Sequence, residues 1–311
     1  MWSGENHRLK AIINKLKATF QISHENEDAF TYIGIQTVQN PDGSITLNQS
    51  TYIVSIPTIS LNHDRLNDLQ QKLNDDEVTL LRGALGRLNW VANMTRPDIS
   101  FTVSKVSGHI KEATISDVKE INKLIKHVKG SLASITFPAL DVNTTRVVVY
   151  TDSSYNNLDD GGSQGGHIVF LKDKHNKSCP ISWRSVRVRR VARSTLAAEC
   201  LSFADGIDTA TFVAKIAAEF QVIKPTSSIL AVTDSRSLYD AANTSTQISD
   251  RRLRVEIAAI REAKEKEEIE ILWIGKENQL ADVLTKKGNI FGYRKSVPTK
   301  FPQLNMILNI S

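Results

Sequence analysis

Hydrophobic and polar positions repeat along this chain with two periods, and the period changes more than once. Leu9, Ile12, Ile13, Leu16 and Phe20 recur at three- and four-residue spacing, which predicts an amphipathic helix over 8–20. Thr31 to Val38 then alternates with period two, Asn40-Pro41-Asp42-Gly43 supplies turn chemistry, and Ile45 to Gln49 returns, as in a hairpin. Residues 61–75 are polar and read as a connector. Leu81, Leu85 and Leu88 mark a helix that ends near Arg96, because Pro97 disfavours helical backbone at the residue before it. The same period runs through Ile99, Val103, Val106 and Ile110, and through Val118, Ile121, Leu124, Ile125 and Val128, so 77–130 is predicted helical. Pro138 to Thr145 reads as a linker.

From Arg146 the order becomes strand (147–152), strand (165–171), strand (181–186) and helix (193–219). A strand (229–234), a helix with its extension (235–265), a strand (269–274) and a last helix (277–287) follow. Three strands in series, then alternating helices and strands, predict an α/β layer with a mixed sheet. The long helix carries Leu196, Cys200, Phe203, Ile207 and Ala210 on its apolar stripe, with Glu199 beside that stripe.

Composition narrows the class. At 311 residues the chain has room for two domains, since a domain takes roughly 100–200 residues. The net charge of +5 is mild, so an anionic partner is implied only where positive residues cluster. They cluster at Arg184, Arg187, Arg189, Arg190 and Arg193, and again at Arg251, Arg252 and Arg254. Cys179 and Cys200 are the only cysteines and form no CxxC pair, against a zinc site or disulfide framework. No run approaches about 18 apolar residues, and the N-terminus lacks signal-peptide order. An intracellular protein of cytoplasm or nucleus, without a membrane partner, is expected.

The chemistry rests on acids. Asp152 and Asp234 close two apolar strand-like runs, Glu199 lies early in the long helix, and Asp282 lies in the last one. An ionised group at the end of a buried strand needs a strong partner. Two-metal phosphoryl chemistry needs several carboxylates converging on ions roughly 4 Å apart, and Mg²⁺ takes oxygen ligands without His or Cys. Singly, an Asp after a strand is more often a turn or cap residue; the joint order on this strand–helix pattern gives the set its weight.

That order carries a family resemblance. Val149-Tyr150-Thr151-Asp152-Ser153-Ser154, Ile181-Ser182-Trp183-Arg184-Ser185 and Ser194-Thr195-Leu196-Ala197-Ala198-Glu199 resemble the ribonuclease H domain of copia-type (Ty1/copia) retrotransposon Pol polyproteins. Val232-Thr233-Asp234-Ser235-Arg236-Ser237-Leu238 and Glu277-Asn278-Gln279-Leu280-Ala281-Asp282-Val283-Leu284-Thr285-Lys286 continue the match in order. Upstream, Leu85-Gly86-Arg87-Leu88-Asn89-Trp90 and Thr95-Arg96-Pro97-Asp98-Ile99-Ser100 resemble the segment joining polymerase to ribonuclease H. The hairpin with Tyr32-Ile33-Gly34-Ile35 resembles the end of the polymerase palm.

The resemblance implies a ribonuclease H-like mixed five-stranded sheet flanked by helices, preceded by a partial α+β reverse-transcriptase remnant. It divides the chain into a palm-end remnant (1–60), a helical thumb- or connection-like region (61–145), a ribonuclease H-like domain (146–290) and a tail (291–311). It implies that Asp152, Glu199, Asp234 and Asp282 hold two Mg²⁺ ions, with Mn²⁺ substituting: Asp152 bridging both, Glu199 and Asp234 on the leaving-group side, Asp282 on the nucleophile side. The reaction is then hydrolysis of the RNA strand of an RNA–DNA hybrid, leaving a 5′-phosphate. The arginine run 184–193 would contact backbone phosphates, and the remainder of a reverse transcriptase would be a partner. One departure matters: no Tyr-x-Asp-Asp motif occurs, and Asp75-Asp76 and Asp159-Asp160 lie in turn-like surroundings, so this polypeptide is expected not to polymerise DNA alone.

Rival readings stand beside this one. A copy that has lost catalysis would remain a nucleic-acid- or partner-binding remnant, against which the complete quartet argues. A 3′–5′ exonuclease would carry Asp-x-Glu on the first strand, and Thr151-Asp152-Ser153-Ser154 lacks the second acid. Gly161, Gly162, Gly165 and Gly166 read as a hairpin turn rather than a phosphate cradle, because no Gly-Lys-Ser/Thr follows. His167, Trp183 and Trp273 are expected to be structural or core residues.

Overall fold

The computed structural model describes residues 6–21, 28–225, 227–244, 248, 250–286 and 308–310. Helix α1 (Asn6–Thr19) precedes strands β1 (Ala29–Tyr32), β2 (Ile35–Gln39) and β3 (Ile45–Asn48). The run Thr31–Val38, expected as one strand, is broken in two. Ile33 and Gly34 both take positive φ (50° and 78°), the conformation of a two-residue hairpin turn. Apolar alternation is blind to this, because Ile33 keeps the period while turning the chain. The second turn forms where expected: Gly43 takes φ 79° and Asp42 Oδ1 accepts from the Ser44 amide at 3.0 Å.

Helices α2 (Ser50–Ser55), α3 (Asp75–Met94), α4 (Ser100–Gly108) and α5 (Ile115–Gly130) follow. A capping box fixes the start of α3, with Asn74 Oδ1 accepting from Glu77 N and Glu77 Oε2 from Asn74 N, each at 2.9 Å. Leu81, Leu85, Leu88, Val103, Ile121 and Leu124 join in one apolar cluster. Past α3, the buried Arg96 donates to Asp98 and to the Ser131 carbonyl, tying the ends of α3 and α5 together. Strand β4 (Ala133–Phe137) then pairs antiparallel with β3. The expected tail 291–311 lies outside the described residues except for β10 (Leu308–Ile310), which pairs with β4.

A second sheet contains β5 (Arg146–Ser154), β6 (Gln164–Lys172), β7 (Ser178–Arg187), β8 (Ile229–Thr233) and β9 (Ile269–Trp273), in the order β7-β6-β5-β8-β9. β6 runs antiparallel to both its neighbours, β5 and β7, while β8 and β9 run parallel to β5. This is an α/β fold with a mixed five-stranded sheet. β5 reads as an unbroken apolar run because both its faces are covered. Val147 and Val149 pack with α6 (Thr195–Glu219), α7 (Arg236–Asn243) and α8 (Arg251–Glu265). Val148, Ile168, Phe170 and Val232 pack instead with Ala133 and Ile135 of β4 and with Leu280 and Leu284.

Two expected elements differ. The helix expected over 235–265 is two helices, the second capped by Asp250, whose side chain accepts from Arg252 N. The helix expected over 277–287 is a pair of 3₁₀ turns, Lys276–Asn278 and Leu280–Leu284. Gln279 separates them, and its side chain caps the second turn by accepting from Ala281 N. No helix among the described residues is long and apolar enough to cross a membrane.

Candidate metal centre

The register of the second sheet brings the first two acids together. β5 and β8 run parallel with Tyr150 opposite Val232, so two residues further on Asp152, still paired with β6, and Asp234, just past β8, lie side by side. Glu199 arrives from α6, whose start is set by the Ser194 hydroxyl accepting from Ala197 N at 3.1 Å. One turn past Glu199, Ser202 Oγ donates to the Asp152 carbonyl at 2.7 Å and accepts from Gly166 N at 3.2 Å. A turn later Gly206 sits against Thr151, where a Cβ would come within 2.5 Å of Thr151 Cγ2. Ser202 and Gly206 therefore seat α6 close on the sheet and aim Glu199 at Asp152.

One carboxylate oxygen each from Asp152, Glu199 and Asp234 lies within 4.8 Å of the others. Asp152 is 2% exposed and Glu199 6%. Burial raises the Asp152 carboxyl to about 6, an effect that Lys286 and Thr285 counter and the neighbouring acids reinforce. Burial raises Glu199 further, to about 8, helped by the charge on Asp152. Glu199 Oε2 is buried with no hydrogen-bond partner. Three converging carboxylates, two of them disfavoured as ions and one with an orphaned oxygen, fit a divalent cation as the missing partner.

Asp282 stands just outside this trio, on the second 3₁₀ turn. Its carboxylate accepts from Lys286 Nζ, and the same ammonium lies 3.5 Å from Asp152 Oδ2. Thr285 Oγ1 donates to Asp152 Oδ2. Gln279 Nε2 donates to the Thr151 carbonyl at 2.9 Å and reaches Asp234 Oδ1 at 3.4 Å. Gln279, Thr285, Lys286 and Ser202 were not singled out as site residues from sequence. The available signal was spacing: Lys286 follows Asp282 by four residues, and Ser202 follows Glu199 by three.

Gly161 lies in the β5–β6 connection with φ 75°, but Gly165 and Gly166 belong to β6 itself. A Cβ on Gly166 would meet Leu284 Cβ at 2.6 Å, so this glycine admits the turn that carries Asp282. His167 is buried, and burial lowers its imidazole to about 4, leaving it neutral. Trp183 packs against the second-face cluster and donates to the Ala92 carbonyl at 2.7 Å. Trp273 is not core: it ends an edge strand and is 40% exposed. Arg184, Arg187, Arg189, Arg190 and Arg193 are all exposed along β7 and the connection to α6. Arg187 pairs with Asp160 and Arg190 with Glu256. Arg251, Arg252 and Arg254 are exposed at the start of α8.

No protein-family model matches the chain. The retrovirus-related Pol polyprotein of transposon RE2 from Arabidopsis thaliana is 24% identical over 291 residues, covering 89% of this chain and 19% of that protein. The one from transposon RE1 of the same plant is 24% identical over 294 residues, covering 88% of this chain and 19% of that protein. Among solved structures, LC11 RNase H1 in complex with an RNA/DNA hybrid aligns with a TM-score of 0.35 at 15% identity, over 45% of this chain and 94% of that one. The chain spans about a fifth of the length of the two polyproteins. It is a homologue of part of the retrovirus-related Pol polyproteins of transposons.

Proposed function

We propose that this chain is a metal-dependent ribonuclease H of copia-type retrotransposon origin, hydrolysing the RNA strand of RNA–DNA hybrids endonucleolytically. The observation that carries the proposal is the convergence of Asp152, Glu199 and Asp234, with the Glu199 oxygen left unpartnered. Asp152, Glu199 and Asp234 would hold one Mg²⁺, and Asp152 with Asp282 a second; Mn²⁺ would substitute. Bound divalent ions supply Lewis-acid polarisation of the scissile phosphate and activation of the attacking water.

The chain's own groups do the rest. Gln279 orients Asp234 and the Thr151 carbonyl. Thr285 and Lys286 partly offset the burial that raises the Asp152 carboxyl when no metal neutralises it. Arg184, Arg187, Arg189, Arg190 and Arg193 take up hybrid backbone phosphates, with Arg187 leaving the exposed Asp160, a pair of small worth, and Arg190 the half-buried Glu256. Residues 1–145 act as palm-end and connection elements beside the remainder of a reverse transcriptase. With no Tyr-x-Asp-Asp motif in these 311 residues, the chain does not by itself incorporate dNTPs.

The test is cleavage of a labelled RNA–DNA hybrid in Mg²⁺ or Mn²⁺ by the chain and by Asp152→Asn. Metal-dependent cutting of the RNA strand that vanishes in the variant is expected. A well-folded protein that binds the hybrid without cutting it would reassign the chain as a binding remnant.

A further inference from the structure

Beside Asp234 the sheet edge carries side chains that packing does not account for. β9 ends in Leu272 and Trp273, 44% and 40% exposed, although side chains this large and apolar are usually taken inside. Trp273 is nevertheless fixed, because its Nε1 donates to the Asp234 carbonyl at 3.1 Å. Arg236 lies two residues past Asp234. Its guanidinium carbon is 5.5 Å from the ring centre of Trp273 and 5.5 Å from that of Tyr239. Two rings hold the planar fork in one orientation. Arg236 also pairs with Asp240 at 3.0 Å, both side chains being exposed, and such a pair one helical turn apart holds weakly.

We infer that Arg236, Trp273 and Tyr239 form a contact site for one nucleic-acid strand, with Arg236 taking a phosphodiester and the Trp273 indole the adjoining sugar or base. The inference rests on the ribonuclease H reading above. A guanidinium fixed on aromatic rings selects an anion with in-plane oxygens, and an exposed indole offers a stacking face to any base. The sheet order adds a second argument. Asp152 lies near the end of β5 and Asp234 just past β8, at the centre of the sheet; the arginine run starts in β7 at one edge, and Trp273 ends β9 at the other. The two cationic sites therefore flank the acids, as a substrate with two strands requires.

The experiment uses the full chain carrying Asp152→Asn, in EDTA, with a labelled RNA–DNA hybrid titrated across salt concentrations. Arg236→Gln is expected to shallow the slope of log affinity against log salt by about one, the effect of one lost phosphate contact. Arg236→Lys keeps the slope while binding more weakly, since charge survives and the stacked fork does not. Trp273→Leu loses about 5- to 150-fold in affinity, the range for one stacked base. Hybrid quenches indole fluorescence in the parent, and the quench shrinks in Trp273→Phe. Thermal melts of each variant establish that it is folded. A parent that binds hybrid, with an unchanged slope in Arg236→Gln and unchanged affinity in Trp273→Leu, overturns this site and leaves the nuclease reading standing. Weaker binding with an unchanged slope in Arg236→Gln makes the arginine structural and also overturns the site. A folded parent that binds no hybrid overturns both readings.

Discussion

Glu199 has a carboxyl raised to about 8 inside a cluster of like charges, and Asp152 one raised to about 6. In the metal-free fold each keeps a proton that the unfolded chain gives up above about pH 4. Their stabilising contribution is therefore complete below the unfolded values and is lost as pH rises through the folded ones. Melts in EDTA should show the wild type losing stability from about pH 5 to pH 8, and Glu199→Gln losing distinctly less. An equally steep fall in the variant would place the titration elsewhere. Lys286 makes the complementary case, since its ammonium lies against both Asp152 and Asp282, where a second divalent ion would compete with it. Lys286→Met should lower metal-free stability at pH 8 by about 1–3 kcal/mol, because a buried carboxylate loses its counter-charge. The same variant should bind Mn²⁺ more tightly by calorimetry. Unchanged Mn²⁺ affinity would mean that ammonium and metal do not share these acids.

At the scale of elements, a glycine on a strand and one on a helix should respond oppositely to a methyl group. Gly166 on β6 faces the 3₁₀ turn, and an added Cβ would lie 2.6 Å from Leu284 Cβ and 2.9 Å from Thr285 Cγ2. Gly166→Ala must push that turn away, at a cost of about 1–3 kcal/mol, and should cut activity by separating Thr285 and Asp282 from Asp152. Gly86 on α3 has nothing within 4 Å of its added Cβ, so Gly86→Ala should stabilise by up to about 1 kcal/mol. Paired denaturant melts check both signs. The same contrast shows what was legible in the sequence. The apolar runs of the second sheet report strands covered on both faces and the long stripe of α6 reports burial on one, and the structure contains those elements. The break at Ile33-Gly34 and the 3₁₀ form of 276–284 depend on positive φ and on a capping Gln279, neither of which alters apolar spacing. Asp152, Glu199 and Asp234 were legible because each stands close to the end of a regular apolar run. Lys286 and Trp273 were not, since their roles follow from what the folded edge brings beside them.

For the whole molecule, the least legible feature is how the N-terminal part covers the second sheet. Ala133-Ser134-Ile135-Thr136-Phe137 stands apart from the other strand-like runs in sequence, and it forms a strand paired with β3 and β10. Once formed, β4 lays Ala133 and Ile135 over Val148, Ile168 and Phe170. Trp183 donates to the Ala92 carbonyl and Gln164 Nε2 to Ser104 Oγ at 3.0 Å, joining the helical region to β6 and β7. The face opposite α6 is thus finished by residues that precede 146 in sequence. A fragment of residues 146–290 keeps all four acids but uncovers an apolar sheet face of the kind that promotes association. It should bind a hydrophobic dye, melt below the full chain and aggregate as concentration rises, while the full chain does none of these under the same conditions. A fragment that melts with the full chain and binds no dye would show that α6, α7, α8 and the 3₁₀ turns suffice. The helical region would then serve only to link the metal centre to whatever precedes it.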